Sequence, residues 1–117
     1  KKSDDAEALY RKAVDFAERR AGEPLQRLAS LLMVQQRYAE AEGPLEQAAA
    51  MDSADVGILY NLGLARLYQH KYEAARDAFL LAESRDPSYV DTQLNLGAVL
   101  FGLSDFDAAV RHLRKAI

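Results

Sequence analysis

Apolar residues along this chain fall at helical spacing, in segments separated by short polar runs. Leu59, Leu62, Leu64, Leu67 and Tyr68 suit one helix, and Tyr72, Ala75, Ala78, Phe79 and Ala82 suit a second. The polar stretch QHK at 69–71 separates them, and Asp86-Pro87 closes the second. Proline cannot continue a helix interior and disfavours the α conformation in the residue before it. The pattern therefore predicts a helix, a tight turn, a second helix and a stop.

The same pattern returns at a fixed interval. Asn-Leu-Gly at 61–63 recurs at 95–97, a shift of 34 residues. At that shift Leu28, Leu62 and Leu96 align, followed by the small residues Ala29, Gly63 and Gly97. Further on, Tyr38, Tyr72 and Phe106 align, then Ala41, Ala75 and Ala109. Leu45, Phe79 and Leu113 share the next slot, and Ala48, Ala82 and Ala116 the last. Six slots agree in type across three copies without a gap. Small residues at these slots let helix backbones approach closely while the aromatic and Leu slots fill the space beside them. One helix pair cannot bury its apolar faces alone, so the copies are expected to stack.

Leu-Gly, an aromatic, Ala, Phe and Ala, then Asp-Pro, at a period of 34, resembles the tetratricopeptide repeat (TPR) family. The resemblance implies an all-α, right-handed superhelical solenoid of antiparallel helix pairs, with about three units plus one N-terminal helix. Residues 1–21 read as the second helix of a preceding partial unit, with Ala6, Tyr10 and Ala13 in its slots. Units follow at 22–55, 56–89 and 90–117, the last ending within its second helix, and all form one domain. Four departures stand out. Three residues before the slot Leu, where the family often has a large residue, stand Leu25, Leu59 and Gln93, so Gln93 should weaken the last unit. The turn slot that favours Gly holds Gln36, His70 and Ser104, so left-handed backbone there carries a strain cost. Ser53 replaces the proline of the closing turn, and Pro44, after Gly43, should kink the second helix of the first unit.

Composition removes most chemistry. Half of the residues are apolar, 28% are charged and the net charge is −3, which is globular composition with no basic stripe for nucleic acid. There is no cysteine, hence no disulfide, thiolate metal site or Cys nucleophile. The longest stretch without polar side chains, 96–103, is too short to span a bilayer, and no signal peptide opens the chain. Compartment is left open. His70 and His112 are far apart, one in a turn and one on a helix, and form no paired metal site. GAVLFGLS at 97–104 imitates a phosphate loop, but Leu103 stands where lysine is needed and the segment is helical. Asp105 and Asp107, like Asp4 and Asp5 beside a capping Ser3, read as acidic helix starts. Arg19 and Arg20 read as a favourable helix end. The expectation is no enzyme, no cofactor and no metal.

What remains is surface. The resemblance implies a concave groove lined by the first helix of each unit, where a protein or peptide partner docks. Slot by slot, the first unit would supply Gln26, Ser30, Met33 and Val34. The second would supply Tyr60, Asn61, Leu64, Leu67 and Tyr68, and the third Asp91, Leu94, Asn95, Ala98 and Phe101. Tyrosines offer large contact area with few rotors, and Asn can donate to or accept from a partner's backbone. The family's carboxylate clamp, which grips a C-terminal tail with Lys and Asn residues, falls here on Gln26, Ser30, Asn61, Asp91 and Asn95. Only Asn61 matches it, so a scaffold for a peptide or amphipathic helix is expected rather than a clamp co-chaperone. A second reading is self-association through Val110, Leu113 and Ile117 on an uncapped last helix, giving a homo-oligomer. A third is the regulatory segment of a larger protein.

Overall fold

The computed structural model describes residues 2–52 and 55–117, with side chains placed for all of these except 2–4, 18 and 19. Among them are seven helices and no strands. They are α1 (Lys2–Ala21), α2 (Glu23–Val34), α3 (Tyr38–Met51), α4 (Val56–Leu67), α5 (Tyr72–Arg85), α6 (Val90–Gly102) and α7 (Phe106–Ala116). The closest packing is within the pairs α2/α3, α4/α5 and α6/α7, and next between α3 and α4 and between α5 and α6. Each pair thus stacks on the next to form a helical repeat solenoid, elongated at 57 × 30 × 20 Å.

The repeat slots build the core. Ala41, Leu45 and Ala48 of α3 are buried with Ile58, Leu62 and Ala65 of α4 in one cluster. Ala75 and Phe79 of α5 are buried with Leu96 and Val99 of α6 in another. The glycine slots serve close approach: a Cβ built on Gly63 would lie 2.5 Å from the Phe79 ring, and one on Gly97 would lie 2.5 Å from Leu113.

The three turns between paired helices have the same geometry. Among the described residues Gln36, His70 and Ser104 are the non-glycine ones at positive φ, at 61°, 60° and 63°. In each turn that residue's N–H donates to the carbonyl three residues back, as from Ser104 to Phe101 at 3.0 Å. The following N–H reaches five back, as from Asp105 to Leu100 at 2.8 Å. These paired bonds satisfy the last carbonyls of α2, α4 and α6, the usual exchange at a left-handed helix end. Because a β-carbon is strained there, Gln36→Gly and Ser104→Gly should each stabilise the fold by about 0.5–1 kcal/mol, after the greater freedom of glycine in the unfolded chain is deducted. Urea unfolding would check this. Unchanged midpoints would mean the turns relax at no cost.

Two expectations meet more detail. α3 starts at Tyr38 and runs without interruption through Pro44, forgoing the bond that a non-proline there would donate to the Glu40 carbonyl. Gln93 is buried at 2% exposure rather than left loose, with its Oε1 2.8 Å from His112 Nδ1. The same nitrogen lies 3.1 Å from Glu83 Oε2. One repeat earlier these three slots hold Ala49, Leu59 and Ala78, so a polar trio replaces an apolar one between the last two units. Gln93 Nε2 has no partner, and that unpaired donor is a cost of the exchange.

α1 differs from the other helices. It touches the rest sparsely, and Leu9, Tyr10 and Phe16 are 67%, 70% and 61% exposed. Only Gly22, itself in the right-handed helical region, separates it from α2. Ser3 falls inside this helix rather than before it, and its side chain lies outside the described ones, as does that of Asp4. Ser53 also lies outside the described residues. Arg20 lies over the Phe16 ring at 5.5 Å, and the Arg19 side chain is not described.

Candidate functional site

Two faces of each first helix are in question: one turned into the stack and one turned out. Along the outward face of α4 and α6 the chain places Tyr60, Leu64 and Leu67, then Leu94, Ala98 and Phe101, at i, i+4 and i+7. Phe101 is 66% exposed, Tyr68 52% and Leu94 44%, a concentration of apolar surface on neighbouring units. Leu64 and Leu67 are half-buried and pack against the core beneath. Asp91 and Ala98 are exposed, and Asn61 is half-buried.

The aromatic residues are held rather than loose. The Tyr60 ring lies 5.8 Å from Phe79 and 5.2 Å, edge on, from Tyr89. Asn95 Nδ2 donates to the Tyr60 hydroxyl at 3.0 Å and to the Asp91 carbonyl at 2.9 Å, tying α6 to α4. Burial, with the negative charge of Asp91 nearby, raises the Tyr60 phenol above its ordinary value, so it stays protonated. Tyr68 packs on Tyr38 at 4.7 Å, and Phe101 on Phe106 at 5.2 Å. Tyr60 and Asn95 are therefore partly committed to each other, while Tyr68, Leu94 and Phe101 offer free surface.

The first unit contributes less. Gln26 and Met33 are half-buried, Ser30 is exposed and Val34 is 82% exposed. At the other end Val110 is 44% exposed and Ile117 fully so, whereas Leu113 is half-buried over Gly97.

An ionic network on the other side of α4, toward α3 and α5, escaped the sequence reading. Glu42 on α3 accepts from Gln69 Nε2 at 2.9 Å, Lys71 Nζ at 3.0 Å and Arg66 Nε at 3.2 Å. Arg66 also reaches Glu46 at 3.2 Å and the Ala74 carbonyl at 3.1 Å. Burial alone would raise the Glu42 carboxyl, but these three donors and the Lys71 charge outweigh it and hold it at about 2. The network has no repeat signature, since the slot of Arg66 holds Leu32 and Leu100 in the other units.

A tetratricopeptide-repeat family model matches residues 27–90 and 60–117. The chain belongs to the tetratricopeptide repeat family. Solved TPR structures share its fold. The type III secretion chaperone SycD of Yersinia enterocolitica, in complex with a peptide of the translocator YopD, superposes with a TM-score of 0.78 at 19% identity, covering 80% of this chain and 72% of that one. The TPR domain of Arabidopsis OM64 gives 0.81 at 18% identity, covering 85% and 82%. The first TPR of Spaghetti (RPAP3), bound to the HSP90 peptide SRMEEVD, gives 0.78 at 20% identity, covering 81% and 75%. Against MamA the chain spans only 56% of the other's length. No curated protein matches the chain in sequence. As in TPR proteins generally, the stacked pairs form a scaffold for protein interaction. Among the described residues no helix is long and apolar enough to cross a membrane, and no group of three or more His, Asp or Glu could hold a metal ion.

Proposed function

We propose that this TPR scaffold binds a peptide or an amphipathic helix along the outward face of α4 and α6, with Tyr68, Leu94 and Phe101 as anchors. The observation that carries this reading is their exposure on adjacent units, above a rigid bed of half-buried Leu64 and Leu67. Binding shifts no bonds, since a preformed apolar surface gains affinity from a few anchors and loses little entropy on closing. The Tyr60 hydroxyl, which accepts from Asn95, keeps its own proton to donate to a partner's carbonyl. Two neighbours in fold hold peptides, which supports the same use here.

The reading excludes a carboxylate clamp. Asp91 is exposed and would repel a C-terminal carboxylate, and Gln26 and Ser30 supply no positive charge. The net charge of −3 likewise favours protein over nucleic acid as partner. The test is a displayed peptide library panned on the wild type, with hits titrated against Tyr68→Ala/Phe101→Ala. Loss of at least tenfold in affinity, with helicity intact, is expected, at about 1–2 kcal/mol per anchor. Hits that bind both proteins equally would overturn the groove. In parallel the peptide SRMEEVD should not bind, and micromolar binding that depends on its free carboxylate would restore the clamp.

A further inference from the structure

The inward face of α2 is open where its counterparts are closed. Ile58, Leu62 and Ala65 on α4 are 2%, 6% and 0% exposed, covered by Ala41, Leu45 and Ala48 of α3. Thr92, Leu96 and Val99 on α6 are each 0% exposed, with Ala75 and Phe79 of α5 packed on Leu96 and Val99. The same slots on α2 hold Pro24, Leu28 and Leu31, and here Leu28 is 46% and Leu31 55% exposed. This is a unit-stacking face with no unit on it.

The complementary face is present on α1, and it too is uncovered. Ala6, Tyr10 and Ala13 repeat the spacing of Ala41, Leu45 and Ala48, the residues that close over α4, and all three are exposed. α1 cannot cover its own α2 as the other second helices do. Residues 86–89 leave helix to make the reversal between α5 and α6, but between α1 and α2 only Gly22 does, and it keeps right-handed helical angles. Folding back within one chain would require unwinding the last turn of α1.

We propose that α2's stripe of Leu28 and Leu31 seats α1 of a second copy of this chain, in a reciprocal exchange about Gly22. Two copies related by a twofold axis set each α1 antiparallel to the partner's α2, the sense in which consecutive helices of the stack already run. No helical residue unwinds, and both open stripes close at once, which makes such exchanges a low-cost route to dimers. Ala17, Ala21 and Gly22 at the crossing are small enough for close approach. This surface lies on the opposite side of α2 from Ser30 and Met33, so it goes beyond the peptide-binding reading and does not depend on it.

The absence of native cysteine gives a direct test. Two single variants, Tyr10→Cys and Leu28→Cys, are mixed at tens of micromolar and oxidised. The expected result is a covalent heterodimer, from a protein that sediments as a dimer without oxidation. Leu28→Glu/Leu31→Glu should sediment as a monomer with unchanged helicity over the same range, a dissociation constant raised more than tenfold. A wild type that stays monomeric at several hundred micromolar overturns the proposal. So does a Tyr10→Cys/Leu28→Cys double variant that closes its disulfide only within one chain. A dimer broken by Val110→Glu/Ile117→Glu but indifferent to Leu28→Glu/Leu31→Glu would place the contact on α7 and equally overturn it.

Discussion

Phe79→Ala should lower the unfolding free energy by about 3–5 kcal/mol, the cost of truncating a fully buried aromatic. The ring fills the space between α4 and α5 because Gly63 has no side chain. Gly63→Ala should also destabilise, by about 1–3 kcal/mol, since its methyl would meet three ring carbons at 2.5–2.7 Å in a site with no room to yield. The first unit shows the alternative solution, with Ala29 at the small slot and Leu45 at the large one. Gly63→Ala/Phe79→Leu reproduces that pair and should be more stable than the sum of its single changes predicts, by about 1–2 kcal/mol. Urea unfolding of the four proteins gives this coupling. Strict additivity would show that the glycine and the ring are not fitted to each other.

Acid should weaken the junction between the first two units, and Glu42 should account for a definite share. Its carboxyl is held at about 2 against an ordinary 4.5. A depressed carboxylate stabilises the fold fully above its unfolded value, and that stability is lost as pH falls from about 4.5 towards 2. The full shift corresponds to about 3 kcal/mol. Water still reaches the side chain, which is 15% exposed, so about 2 kcal/mol is the expected share. Other carboxylates titrate in the same range, so the informative quantity is a difference. Between pH 6 and pH 3 the wild type should lose about 1.5 kcal/mol more than Glu42→Gln, most of that share. Parallel pH profiles for the two proteins would remove Glu42 from the account of acid sensitivity.

How much of this was legible in the chain follows from what repeats. Slots at a 34-residue interval meet the same neighbours in every unit, so Phe79, Ala75 and Leu96 could be assigned to the core and Gln36, His70 and Ser104 to strained turns. Features present once leave no such mark. Arg66 stands where two other units have Leu, and its partner Glu42 is 24 residues away on another helix. The polar trio of Glu83, Gln93 and His112 is unique in the same sense, so Gln93 could be read as a defect in packing but not as a partner of His112. In the groove, Tyr60 and Tyr68 looked alike in sequence. Tyr60 is braced by Phe79, Tyr89 and Asn95, whereas Tyr68 is half open, and that contrast depends on α5, α6 and the turn between them.

The sequence by itself determined the helix pairs, their turns and the order of their stacking, because local periodicity and a fixed repeat each constrain neighbours close along the chain. Only the tertiary structure decided which side chains on those helices are spent on the stack and which are free. Exposure is set by what lies across a face. For Leu28, in the same slot as the buried Leu62 and Leu96, that is decided by where Gly22 holds α1 relative to α2.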